Sequence, residues 1–288
     1  MHTDCRSTPS ARRHSMPAFA DLHLHSRFSD GLCAPAELVD QARAAGYAAI
    51  AVTDHDTIEG TTEALAAGEK LGVEVIAGVE ITCCLGSQEV HLLGYFFGDT
   101  WQDGALHRVL DHARLVRVQR IGEIVGRLNQ LGVRLTVDEV LACSTCGVLG
   151  RPHVAMALQK RGIVTSVEEA FDRFLKSGRP AYVERYRMAA AEAIGHVRRA
   201  GGLAVLAHPG LQSAADPHIR EMADQGLAGL EVWHPQHAPA QIKRYRKLAD
   251  ELGLVATGGS DTHATLTGTV HLPYAQVDAL KQRAARRR

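Results

Sequence analysis

The stretch Phe19-Ala20-Asp21-Leu22-His23-Leu24-His25 is an apolar run that ends in alternating histidines, and its reading decides the fold. Side chains alternate along a strand, so Asp21, His23 and His25 are expected on one face and Leu22 and Leu24 on the other. In a barrel strand this alternation carries both imidazoles toward the lumen at the C-terminal mouth. Two further runs end the same way, in Thr53-Asp54-His55 and in Ser260-Asp261-Thr262-His263.

Outward from the first run, short β-branched or apolar segments at 19–23, 48–53 and 73–79 alternate with helical patterns near 35–45 and 61–71. The rhythm resumes with strands at 203–207, 229–233 and 254–257, separated by helices near 189–200, 219–225 and 239–252. With the strand-like 89–97, this makes seven or eight strands, most alternating with helices, the pattern of a parallel barrel. Residues 101–187 read differently, with helical patterns at 106–131, 154–160 and 167–175. The expected organisation is a leader at 1–17 without order, a discontinuous barrel at 18–100 and 188–283, and a mostly helical insertion at 101–187.

The composition excludes several classes. Lys plus Arg and Asp plus Glu balance at 32 each, so the general basic surface of a nonspecific nucleic-acid binder is missing. No apolar stretch approaches the roughly 20 residues of a membrane span. Six cysteines follow no disulfide framework, which fits a reducing, cytoplasmic setting. Histidine, with 16 residues, is the anomaly.

Beyond His23 and His25, His55, Glu80, His208, Asp261 and His263 all stand just past apolar runs, and side chains from the C-terminal ends of parallel strands converge on one site. Asp30 and His91 complete nine groups, more than one metal needs, so a multinuclear centre is expected. A single histidine is more often a hydrogen-bonded core or surface residue than a ligand, but a whole set at successive strand ends is not explained that way. Mixed imidazole and carboxylate ligation suits manganese, iron or zinc better than calcium. Asp21 and Asp54 lie beside these groups and are expected either to accept from ligating imidazoles or to take backbone N–H groups.

In His23-Leu24-His25, Asp30, Thr53-Asp54-His55, Glu80, His91, Ala207-His208-Pro209 and Asp261-Thr262-His263, the chain resembles the polymerase and histidinol phosphatase (PHP) superfamily, in order from about residue 19 to residue 263. That resemblance implies a distorted (β/α)7 TIM-like barrel with three Mn2+ ions. It assigns His23, His25, Glu80 and Asp261 to one ion and Asp30, His55 and His263 to a second; Glu80, as a bridge, holds a third with His91 and His208. The nucleophile it implies is a metal-activated hydroxide near His55 and His263 rather than a side chain.

Arg114 and Arg117 lie three apart on a predicted helix and share a face, while Gly150-Arg151-Pro152-His153 opens another helix and offers Arg151, His153 and free N-terminal amides to an anion. Solvated surface charge is the plain alternative. The Arg-Pro-His element, the 171–182 stretch and the insertion length resemble the PHP branch of 3',5'-nucleoside bisphosphate phosphatases and 5'-to-3' exoribonucleases. This implies removal of the 3'-phosphate from a small nucleotide such as 3',5'-bisphosphoadenosine, with short 5'-phosphorylated RNA as a second substrate. A different PHP phosphatase such as one for histidinol phosphate, an amidohydrolase, and a non-catalytic PHP module stay open as alternatives.

Other features carry less. Cys143-Ser144-Thr145-Cys146 has no partner pair for zinc, and Cys83-Cys84 reads as small buried packing. Trp233-His234-Pro235-Gln236-His237 reads equally as a substrate border or a loop with incidental histidines. Gly258-Gly259 is expected to allow close backbone packing near Asp261.

Overall fold

A computed structural model describes residues 18–286 except 87, 144–149, 185–187 and 267, and leaves the side chains of 213–215 aside. The expected leader, and Cys146 of the C-x-x-C, lie outside the described residues. Three strands, β1 (Phe19–Leu24), β2 (Tyr47–Val52) and β3 (Glu74–Leu85), run parallel, with α1 (Pro35–Ala44) and α2 (Thr61–Leu71) as crossovers. Pro35 in the first turn and the Glu37 carboxylate, which accepts the Ala34 N–H at 2.7 Å, start α1 where the sequence pattern puts it.

The twelve-residue β3 turns at Gly86, whose φ of 59° lies in the left-handed region, into β4 (Gln88–Phe96), which runs antiparallel to it. So short a connection can join only antiparallel neighbours, since a parallel pair needs a crossover of a dozen residues or more. β4 also pairs antiparallel with β5 (Leu203–Leu206), after which β6 (Gly229–Trp233) and β7 (Val255–Gly258) continue in parallel. The two-residue β8 (Leu272–Pro273) lies antiparallel on β1. Across the seam, Asp261 N–H donates to the His23 carbonyl at 2.9 Å and His25 N–H to the Thr262 carbonyl at 3.0 Å. The result is a nearly closed eight-strand barrel, the PHP-type architecture expected, with β4 reversed.

Inside it, Leu22, Leu93, Tyr95, Val205 and Ala207 are fully buried, and the Tyr95 hydroxyl donates to the Leu22 carbonyl across the lumen at 2.8 Å. Outside, α7 (Ala190–Arg199), α8 (Ile219–Asp224) and α9 (Pro239–Leu252) cover β3 to β7, and α10 (Ala275–Ala285) closes the end. Among the described residues no helix is long and apolar enough to cross a membrane.

The 27-residue α3 (Gly104–Gln130) starts at Asp103, whose carboxylate caps the Ala105 and Leu106 N–H groups. Its first turns give Leu106 and Leu110 to the barrel's outer core. Farther along, Ile121, Ile124, Val125 and Leu128 join a separate apolar cluster with α4 (Val137–Leu141), α5 (Arg151–Lys160), α6 (Val167–Ala170) and the turn after α6. A single helix thus ties a second core to the barrel wall.

Replacing Tyr95 by phenylalanine removes the hydroxyl that spans the lumen. The expected cost is about 1–3 kcal/mol of stability, read from urea unfolding.

Candidate metal centre

Glu80, fully buried, stands on β3 beside the mouth of the barrel. Five imidazoles reach it: His91 Nδ1 and His208 Nε2 approach Oε1 at 2.9 Å, while His55 Nδ1, His25 Nε2 and His23 Nε2 lie 3.0, 3.2 and 3.3 Å from Oε2. Asp261 Oδ1 adds contacts of 3.1 Å to His25 and 3.4 Å to His23. At the solvent edge, Asp30 lies 3.2 Å from His263 Nε2 and 3.6 Å from His55 Nε2.

The strand reversal explains how His91 arrives. It sits in the first half of β4, opposite Thr82, so the hairpin returns it to the rim that Glu80 occupies, and it does not follow the C-terminal end of a parallel strand. β1 in turn slips in register against β2 between Asp21 and Leu24, so simple alternation does not describe it throughout. His23 and His25 nonetheless bring their Nε2 atoms within 3.1 Å of one another. A Cβ on Gly259 would stand 2.2 Å from that of His23, so only glycine admits the seam there.

Burial and charge shape the protonation of this cluster. Burial works against a proton on His25, but the adjacent Asp261 and Glu80 carboxylates raise its pKa to about 9. His91 overcomes the same penalty through the Glu80 and Glu89 carboxylates and reaches about 10. For His55 burial wins, and its pKa falls to about 4. Glu80, despite its burial, is held well below the usual carboxylate range by His55, His23 and His91.

Two buried atoms at the heart of the cluster, Glu80 Oε2 and His55 Nδ1, lie 3.0 Å apart and make no hydrogen bond. Unsatisfied acceptors this deep are costly, and a cation between them would satisfy both. The donor atoms of three groups lie within 4.8 Å of each other: His23, His25, Glu80 and Asp261; His25, Asp30, His55 and His263; and His55, Glu80 and His91. These donors fit a metal centre of imidazole and carboxylate ligands. The grouping differs in detail from the family pattern, placing His25 with the second set and His55 with the third. His208 joins the third set through its 2.9 Å contact with Glu80 Oε1.

The flanking aspartates act otherwise than one expectation had it. Asp21 takes the backbone N–H of His23 and Ser260, at 3.3 and 2.9 Å, and burial raises its pKa to about 6. Asp54 accepts from the Ser26 N–H and hydroxyl and the Ser29 hydroxyl, reaching His25 only through Ser29. The carboxylate that bonds an imidazole is Glu231 of β6, 3.1 Å from His23 Nδ1. The sequence reading missed it because a lone glutamate within an apolar strand has no motif spacing. His234, read equally as a substrate border or an incidental loop histidine, reaches Asp261 Oδ2 at 3.3 Å. Cys83 is buried with its thiol on the Val90 carbonyl, as a packing residue.

Beside the cluster, Asp30, His55 and His91 form one wall of a cleft of about 330 Å³, and Arg117, Arg120, Arg151 and His153 form another. Arg117 is ion-paired with buried Asp56. Arg151 donates to the Leu175 carbonyl at 3.1 Å and lies over the Phe171 and Tyr182 rings. His153 Nδ1 accepts the Gly150 N–H at 3.1 Å, and burial lowers its pKa. Arg114 does not join them; it pairs with Glu59 at the surface, at 2.7 Å. Sharing a helix face with Arg117 did not bring it to the cleft, because that face spans both the cleft edge and open solvent. Arg120, which sequence reasoning passed over, lines the cleft one turn from Arg117 and also donates to the Val183 carbonyl.

A family model for the PHP domain matches residues 21–184, and the chain belongs to that family. It is 33% identical over 249 residues to the 3',5'-nucleoside bisphosphate phosphatase of Chromobacterium violaceum, covering 85% of this chain and 87% of that protein. The 5'-3' exoribonuclease of Haemophilus influenzae is 32% identical over 84% of this chain and 89% of its own length. A solved structure from Bifidobacterium adolescentis, assigned as a metal-dependent phosphoesterase, superposes with a TM-score of 0.76 at 32% identity, covering 93% of this chain and 98% of that one.

Metal ligation needs neutral imidazoles, whereas His25 and His91 hold protons at pH 7 in the metal-free site. Uptake of a divalent metal is therefore expected to release protons and to tighten as pH rises from 6 to 9. Calorimetry in buffers of different ionisation enthalpy reads the proton count; uptake without release contradicts the assignment.

Proposed function

We propose that this chain is a metal-dependent phosphoesterase that removes the 3'-phosphate from nucleoside 3',5'-bisphosphates, with short 5'-phosphorylated RNA as a further substrate. The observation that carries this reading is the pairing, in one cleft, of candidate metal ligands Asp30, His55 and His91 with the cationic wall of Arg117, Arg120 and Arg151. Its volume of about 330 Å³ falls at the small end of the usual range for small-molecule sites. The relatives named above support the substrate class.

Manganese is the proposed metal, held by His23, His25, Asp30, His55, Glu80, His91, His208, Asp261 and His263, with iron or zinc as the competing occupants. Bound there, metal would supply an activated water and neutralise charge on the phosphoryl oxygens. The chain's own residues do the rest. Segment 101–187, an insertion in this reading, presents Arg117 and Arg151 to the second phosphate, and a guanidinium fork suits its geometry. Packing against Phe171 and Tyr182 and the bond to Leu175 hold the Arg151 guanidinium in place before substrate arrives. His153, its pKa lowered, offers a neutral ring at the same wall. A cytoplasmic setting fits the unpaired cysteines Cys33, Cys83 and Cys143.

The test is phosphate release by the manganese-loaded protein from 3',5'-bisphosphoadenosine and adenosine 3'-monophosphate, and release of 5'-mononucleotides from a 5'-phosphorylated oligoribonucleotide. The bisphosphate is expected to turn over with the highest kcat/KM, and inactivity on it at full metal occupancy overturns the reading. Arg151→Ala should raise KM for the bisphosphate roughly 10- to 100-fold, the loss of a charge-assisted bond of about 1.5–3 kcal/mol, and leave the 3'-monophosphate nearly unaffected.

A further inference from the structure

Strand β6 contributes none of the nine expected ligands, yet three polar side chains from it and the turn that follows reach the groups around the centre. Glu231 is fully buried, with Oε1 and Oε2 at 3.1 and 3.3 Å from His23 Nδ1, and its Oε2 accepts the His208 backbone N–H at 2.7 Å. His234 Nδ1 accepts the Gln236 N–H at 3.2 Å, so its proton sits on Nε2, 3.3 Å from Asp261 Oδ2. His237 donates from Nδ1 to the Val232 carbonyl at 2.9 Å and accepts the Gly210 N–H at 3.1 Å, fixing the turn after His208.

We propose that β6 is the positioning strand of the metal centre, with Glu231 aiming His23 and His208, and His234 aiming Asp261. The inference rests on reading the site as a metal centre and adds which residues set its geometry. Two facts beyond the contacts carry it.

The first is tautomer control. In the neutral ring that ligation needs, a proton held between His23 Nδ1 and Glu231 leaves the lone pair on Nε2, the atom that faces Glu80, Asp261 and His25 at 3.3, 3.4 and 3.1 Å. A carboxylate behind a ligating imidazole fixes ring orientation and raises its basicity.

The second is backbone strain. Among the described residues three non-glycine positions have positive φ, Asp56, His208 and Asp261, at 52°, 25° and 51°. Such conformations persist only where the surroundings impose them. β6 and the turn after it bond to two of the three, Glu231 to the His208 backbone N–H and His234 to the Asp261 carboxylate.

The experiment measures manganese affinity of the full chain by chelator competition, together with thermal melting of the metal-free protein. Wild type must bind manganese; if it does not, the metal-centre reading itself fails. With wild-type binding in place, Glu231→Gln should weaken it about 10- to 100-fold, and excess manganese should restore kcat. Affinity equal to wild type, or a lowered melting temperature with unchanged affinity, overturns the proposal, since a purely structural residue behaves that way. Should Glu231→Gln fail to fold, His234→Phe, which keeps the ring's bulk and loses the donor, decides the matter: weakened manganese binding supports positioning, and wild-type affinity overturns it.

Discussion

The fold's mouth is organised around one buried carboxylate. Glu80 has five imidazoles within 3.3 Å and no solvent, an arrangement water would never reward. Taking a carboxylate out of water costs several kcal/mol even after relaxation, so positive charge must be supplied nearby. In the metal-free state protons on His25 and His91 supply it, and a metal ion would do so at higher charge density. The barrel architecture follows from the need to bring those imidazoles in from separate strands. A parallel strand alone would leave His91 at the far end of its run, and the β3–β4 hairpin is what turns it back to the rim.

That demand also accounts for local irregularities that a regular barrel lacks. The register slip in β1, the glycine seam against His23 and the left-handed backbone at His208 and Asp261 all lie within the cluster. Strained conformations of this kind cost of order 1–3 kcal/mol each and endure where neighbouring bonds over-determine them. Here the bonds come largely from β6 and from Asp21, which ties Ser260 to β1.

Much of this was legible in the sequence, for a physical reason. Groups that end apolar runs are marked by the period of the strand, so seven of the nine residues from His23 to His263 could be picked out in order; Asp30 and His91 were added by the resemblance and by nearness to those runs. Seven of the strands and three helical stretches of 101–187 were equally visible through their periods, whereas the five-residue α4 and the two-residue β8 are too short to show one. The direction of β4 was less so, since alternation is the same in either direction and only the short turn at Gly86 decides it. Glu231 was hidden because one polar residue in a five-residue apolar strand has no partner at a fixed spacing; its partners lie 208 and 23 residues away in sequence. Arg114, for which an anion clamp and solvated surface charge stood open, pairs with Glu59 at the surface, because helical spacing says which residues are neighbours on a face and nothing about what that face meets.

The two walls of the cleft are joined by more than proximity. Asp56, the residue after His55, gives one carboxylate oxygen to the Thr82 N–H at 2.8 Å and the other to Arg117 of α3. A buried pair of this kind stabilises little in total, yet removing either partner strands a charge and costs about 3–5 kcal/mol. Its effect is geometric: α3, which bears Arg117 and Arg120, is joined to the loop bearing His55 through this pair. Five N–H donors on a guanidinium leave Arg117 with capacity beyond that pair. In the proposed reading, this tie helps set the distance at which two anionic groups of one ligand are held.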